Sequence, residues 1–212
     1  MKLYNYWRSS SSWRVRIALA HKGIDYEYVP VHLVKDGGEQ RQEWFRALNA
    51  AAQVPLLEFE HGGETRRLGQ SLAILAYLED MFPAPAMMPS DAFERAKAKQ
   101  LAELVNAGIQ PIQNLLVIQK LRGMEVDAKA WCQEFIAAGL AAYEATMAET
   151  AGSYSVGDEP SWADACLVPQ LYNARRFELD LEPYPTIRQV EANCFELSAF
   201  SETAPDKMPD AA

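Results

Sequence analysis

The chain has 212 residues, 49% hydrophobic and 23% charged, enough to bury a sizeable core in one large or two small domains. A net charge of −9 argues against a nucleic-acid or anionic-membrane surface, and no apolar run approaches membrane-spanning length. Three cysteines (Cys132, Cys166, Cys194) lie far apart without CxxC spacing, and His21, His32 and His61 sit at no ligand spacing, so neither a disulfide framework nor a metal is expected.

Residues 2–6 read as a strand directly after Met1, without a leader pattern, which points to the cytoplasm. Arg8 then precedes four serines, Ser9 to Ser12, and a helical segment over 12–22 that closes at Gly23. Serines at such a junction have two readings. One is a polar turn in which a hydroxyl caps the helix. The other is an anion site, where a hydroxyl donating to a thiolate lowers the pKa of the thiol beside free helix-start amides.

Residues 26–31 read as a second strand, with Pro30 at a sheet edge or strand end, and the strand–helix–strand order implies parallel pairing. A loop at 35–38 and a short helix at 42–48 follow. Residues 54–59 and 66–68 flank a turn as a hairpin. Val54-Pro55 opens it, either as an ordinary trans proline or as a cis bond turned toward a pocket. Gln70-Ser71 opens a helix over 72–81, with Ser71 as its N-cap, simply capping or also holding a carboxylate on the first amides.

Pro83 and Pro85 mark a linker, 83–89, between a first domain (1–82) and a second (90–202) in which strand signals stop. Helices are expected over 92–105, 114–121, 128–149, 162–177 and 186–200. Pro111 should kink the chain, leaving Gln110 and Asn114 in a bent core helix or facing a cleft. Ser161 and Asp164 stand at capping-box spacing, a folding feature without a catalytic role. Arg175 reads as a solvated surface charge, and residues 203–212 as a mobile tail.

The run Ser9-Ser10-Ser11-Ser12-Trp13-Arg14-Val15-Arg16-Ile17 resembles the zeta-class glutathione transferase signature, Ser-Ser-Cys-x-Trp/His-Arg-Val-Arg-Ile. Ser11 stands where that family usually has cysteine, which removes mixed-disulfide chemistry and leaves a serine-activated route intact. The likeness extends through nearly the whole chain. It implies an α/β plus all-α architecture: a thioredoxin-like N-terminal domain in the order βαβαββα and an all-helical C-terminal domain, assembled as a homodimer.

The same resemblance implies glutathione as cofactor. Ser9 would stabilise its thiolate, with Ser10 second, and Ser11 and Gln40 would lie along it. Val54, before a cis Pro55, would pair with the cysteinyl unit, and Gln70 and Ser71 would hold the γ-glutamyl carboxylate. Gln110 and Asn114 would reach the pocket; Arg14 and Arg16 read mainly as structural pairing, with Arg14 also bordering the glutathione site. Arg176 would grip a substrate carboxylate with its planar fork, Arg8 taking a second. The implied reaction is cis–trans isomerisation of a small maleyl diketo acid (maleylacetoacetate or maleylpyruvate) by reversible thiolate addition. Alternatives are conjugation or dehalogenation of small α-halo acids, and a non-catalytic interaction module of the same fold.

Overall fold

Alternation in the first residues turns Leu3 and Asn5 inward, both fully buried, and makes strand β1 (Lys2–Asn5). In the computed structural model, which describes residues 1–211, β1 lies second in a sheet of order β2-β1-β3-β4. Strand β2 (Glu27–Pro30) runs parallel to β1, pairing Tyr28 with Leu3, while β3 (Leu56–His61) pairs antiparallel on the other side. Strand β4 (Glu64–Gly69) closes the hairpin with β3 across Gly62-Gly63. Pro30 thus sits on an edge strand, where a missing N–H is tolerated.

Helix α1 (Ser10–His21) follows β1, α2 (Glu43–Leu48) follows β2, and α3 (Ser71–Met81) follows β4. The order is the βαβαββα of a thioredoxin-like domain, as the resemblance implied. Helix α1 is buried on all sides from Ser12 to Leu19, Trp13, Val15, Ile17 and Leu19 included, whereas Ile74, Leu75 and Leu78 bury one side of α3. Val31, Phe45 and Leu56 form a cluster joined by Tyr4, Leu48 and Val54. Lys22 ends α1 with its ammonium bonded to Glu79 at 2.9 Å and to the carbonyls of Phe82 and Pro85 at 2.7 and 2.9 Å. The peptide bonds before Pro55 and Pro85 are both cis.

The chain divides between Ala86 and Met87 and again between Glu196 and Leu197, so its last residues belong to the first unit. This corrects the expectation of a mobile tail over 203–212, of which Ala212 lies outside the described residues. Thr203 is buried, its hydroxyl accepts from Trp13 Nε1 at 3.0 Å, and Asp210 accepts from the Trp7 amide at 3.2 Å. Local composition resembles a frayed end; the buried polar groups of α1 supply the partners that hold it.

The second unit is helical: α4 (Ala92–Glu103), α5 (Leu115–Gly123), α6 (Ala128–Met147), α7 (Trp162–Arg176) and α8 (Pro185–Phe195). The last helix expected, 186–200, is therefore two, since a short α9 (Ser198–Ser201) packs in the first unit against α1. Around Pro111 the chain leaves α4 through one wide helical turn (Leu104–Ile109) and one tight one (Gln110–Gln113). Helix α7 is almost wholly buried, and its start carries the expected capping box: Ser161 Oγ accepts from the Ala163 amide at 3.2 Å, and Asp164 accepts from the Ser161 amide at 2.8 Å. Arg175 is not a free surface charge, because its guanidinium forks onto the buried Glu191 carboxylate with two bonds of 2.5 Å.

Candidate active site

The sheet topology gathers the expected residues of the first unit. Because β3 is antiparallel to both β1 and β4, the end of β1, the start of β3 and the end of β4 share one edge. Ser9 follows β1 there, Val54-Pro55 precedes β3, and Gln70-Ser71 follows β4. Strand β2, parallel to β1, delivers the loop bearing Gln40 at the same end. Residues scattered over more than sixty positions of sequence thus emerge together.

Ser9, expected to precede the helix, is its N-cap, and the helix starts at Ser10, two residues earlier than the spacing predicted. Its Oγ accepts from the Ser12 amide at 3.2 Å, which uses a lone pair and leaves the hydroxyl proton to donate. Ser10 is buried, Ser11 half-buried, and Ser12 fully enclosed. Ser9 is therefore the capping residue and also a half-exposed hydroxyl at a positive helix end.

At α3 the arrangement differs from expectation. Gln70 holds the N-cap position without a side-chain cap, and Ser71 is the first helical residue. Gln70 adopts φ +66°, a strained backbone for a non-glycine residue and the kind retained where function requires it. Ser71 is buried, and its Oγ receives a bond from Arg14 Nη1 at 3.2 Å. Cation, hydroxyl and helix start together are groups of the kind that suit a carboxylate. Arg14, fully buried on α1, ties the two helix starts together; its place in the Arg-Val-Arg motif was the sequence signal for it.

Gln70 Nε2 also donates to Gln53 Oε1 at 3.2 Å, joining it to the residue before Val54. Val54 is half-buried and lies just outside the β1 and β4 ladders, which begin at Leu56. Gln40 is buried, donates to the Leu33 carbonyl at 3.3 Å, and leaves its Oε1 without a partner. A Cβ on Gly38 would lie 2.5 Å from that oxygen, so the glycine makes room for the amide. A hydroxyl proton and groups that suit a carboxylate, gathered at one sheet end, are compatible with a ligand that carries thiol and carboxylate groups. Arg8 is half-buried with its guanidinium 5.3 Å from the Trp7 ring centre, a cation–π contact.

In the second unit, Gln110 is half-buried, and Asn114 caps α5 by accepting from the Leu116 amide at 3.1 Å. One lone pair of its oxygen is thus used in the cap. Arg176 is exposed, steadied by donation to Asn173 Oδ1 at 2.9 Å and by the Phe177 ring at 5.8 Å. A polar pair that the sequence did not signal lies beside these elements: buried Gln113 donates to buried Gln170. Among the described residues, no group of acidic, histidine and cysteine side chains is placed to hold a metal.

Residues 8–81 match the family description "Glutathione S-transferase, N-terminal domain", and residues 124–197 match "Glutathione S-transferase, C-terminal domain". The chain is 50% identical to a maleylacetoacetate isomerase of Rattus norvegicus over 98% of its own length and 94% of the relative's. It resembles the crystal structure of maleylacetoacetate isomerase from Anaeromyxobacter dehalogenans 2CP-1 with bound GSH at TM-score 0.90 and 50% identity, covering 100% of this chain and 97% of that one. A bacterial maleyl pyruvate isomerase described as a zeta-class glutathione-S-transferase superposes with TM-score 0.93 at 46% identity over 100% of both chains. With that signature on α1, this two-part fold and relatives alike over their whole length, the chain belongs to the zeta class of the glutathione S-transferases.

Proposed function

We propose that the protein is a glutathione-dependent cis–trans isomerase acting on maleylacetoacetate or maleylpyruvate. The observation that carries the reading is the serine at the start of α1, whose hydroxyl caps with a lone pair and keeps its proton for a thiolate. Bound glutathione supplies a thiolate that adds reversibly to the activated double bond and is released unchanged. The chain's own residues do the rest. Ser9 donates to the sulfur and favours its ionised form, with Ser10 and the helix end adding to the field. The Ser71 hydroxyl, the α3 amides and Arg14 hold the γ-glutamyl carboxylate, and Gln70 closes over it. Val54 offers its backbone to the cysteinyl unit, and Gln40 and Ser11 line the remainder.

Arg176 grips a substrate carboxylate in bidentate fashion and stabilises negative charge that develops during the reaction. Arg8, preset by its stacking on Trp7, takes a second anionic end. Gln110 and Asn114 contribute donors. The protein works as a homodimer in the cytoplasm. Large apolar side chains left exposed, such as Met81 and Phe93, suit a partner face, and three free buried thiols suit a reducing compartment.

An ultraviolet assay of both maleyl acids, with and without glutathione, tests this reading. Turnover that requires glutathione without consuming it, and that collapses in Ser9→Ala and Arg176→Ala, is the expected result. Glutathione consumed without isomer formation would replace the reading by conjugation or dehalogenation.

A further inference from the structure

The Trp7 peptide is held on both sides by groups that no catalytic role has absorbed. Its N–H donates to Asp210 Oδ2 at 3.2 Å, and its carbonyl accepts from Arg16 Nη2 at 2.9 Å. Arg16 is fully buried, and it also donates to Asn5 Oδ1 at 3.0 Å and to the Thr203 carbonyl at 3.2 Å. The other oxygen of Asp210 accepts from the Tyr28 hydroxyl on β2. Burial lowers the Arg16 pKa to about 10, opposed by nearby groups that include Asp210. The C-terminal segment therefore supplies a carboxylate, a carbonyl and a hydroxyl to the polar interior of the first unit.

These bonds converge on one turn. Residues 6–9 connect β1 to α1, and the Ser9 amide donates to the Tyr6 carbonyl at 3.0 Å. Within the turn, Trp7 carries the ring on which Arg8 stacks, and Ser9 follows directly as the cap of α1. Asp210 holds the peptide group before Trp7 and Arg16 the one after it, which restricts the rotations that would swing the Arg8 and Ser9 side chains away from their observed directions.

We propose that the C-terminal segment is a clasp for the catalytic turn, with Asp210 as a positioning residue that acts on Arg8 and Ser9 through the Trp7 peptide. The proposal rests on the reading of Ser9 as the thiolate donor. An acidic side chain suits the post because one carboxylate serves two donors at once, each of its oxygens taking one.

The test compares full-length wild type with Asp210→Ala, Asp210→Glu and Tyr28→Phe. Three readouts are amide hydrogen exchange over residues 6–12, the KM for glutathione against kcat, and the ultraviolet band of bound thiolate as a function of pH. Asp210→Ala should speed exchange in that segment and raise the KM for glutathione about tenfold, and the bound thiolate should form at higher pH. Its kcat at saturating glutathione and alkaline pH, where the thiol ionises unaided, should stay within about twofold of wild type. Asp210→Glu should recover part of each effect, and Tyr28→Phe, which keeps the Trp7 bond, should show a smaller change of the same sign. Exchange, KM and thiolate band all unchanged in Asp210→Ala would overturn the proposal. Faster exchange with an unchanged KM and band would also overturn it, since the segment would then be a structural support alone. A wild type that neither binds nor ionises glutathione would refute the functional reading and the proposal with it, whereas a wild type that does both and is matched by Asp210→Ala in KM and band would overturn the clasp alone.

Discussion

Ser9 is asked to cap a helix and to stabilise a thiolate, and substitutions can separate the two. Its Oγ accepts from the Ser12 amide at 3.2 Å, so Ser9→Ala removes both that bond and the donated proton. Loss of the cap costs about 1 kcal/mol of stability. Loss of a charge-assisted bond to sulfur costs about 1.5–3 kcal/mol of thiolate stabilisation, which raises the bound thiol pKa by about 1–2 units. Turnover at neutral pH then falls roughly 10- to 100-fold and returns as the pH is raised toward the free thiol value of about 8.5. Glycine caps within a few tenths of a kcal/mol of serine, so Ser9→Gly should melt close to wild type yet ionise glutathione as poorly as Ser9→Ala. Asparagine caps well and carries its own N–H donors, so Ser9→Asn should fall between. Ultraviolet titration of bound glutathione, a pH–rate profile and thermal melts read the series. Wild-type ionisation of glutathione by Ser9→Gly would refute the role assigned to the hydroxyl.

Other consequences can be measured independently. Arg176→Lys keeps a charge and loses the planar fork, so kcat/KM for the maleyl acid should drop about tenfold while the KM for glutathione holds. If both constants shift together, Arg176 is not a substrate ligand. Asp164→Ala strips the acceptor from the buried Ser155 and Ser161 amides, bonded at 2.9 and 2.8 Å. At about 1–3 kcal/mol for each of the two orphaned donors, the loss is about 2–6 kcal/mol and the melting point should fall by roughly 4 to 24 °C. A fall under about 3 °C would show that water replaces the carboxylate. Burial pushes the Cys194 thiol well above its ordinary value of 9.0, so above that pH the unfolded chain releases a proton that the folded chain keeps. Stability is then fully present below pH 9 and declines above it, by up to about 1.4 kcal/mol per pH unit from this group. Urea melts of Cys194→Ala should show a shallower alkaline decline; an identical slope would assign it to the tyrosines.

The domain order was legible because each element carries its own periodicity and punctuation: an alternating first strand, Pro30 on an edge, a Gly-Gly hairpin and a capping box before an apolar helix. The candidate residues were legible in type, and one motif suggested the roles proposed for them. What local sequence could not reveal was pairing over distance. Nothing around Ser71 announces that Arg14 reaches it, and nothing around Arg175 announces Glu191. The tail was misread for the same reason. Small residues and prolines describe a segment without helix or strand propensity, yet order there comes from Arg16, Trp13 and Trp7 at the other end of the chain. Boundaries moved where a side chain took a post the spacing did not specify, as Ser9 did in starting α1 two residues early.

The return of the chain to its first unit also sets an order of events during synthesis. Arg16 leaves the ribosome 187 residues before Thr203, whose carbonyl it needs. At about 5–20 residues per second, that is a wait of roughly 10 to 40 s. Over that interval Arg16 has Asn5, Tyr6 and Trp7 available as partners but not Thr203. Sealing of the polar interior around Arg16 therefore waits for the segment that carries Thr203, long after the strands that surround it have been made.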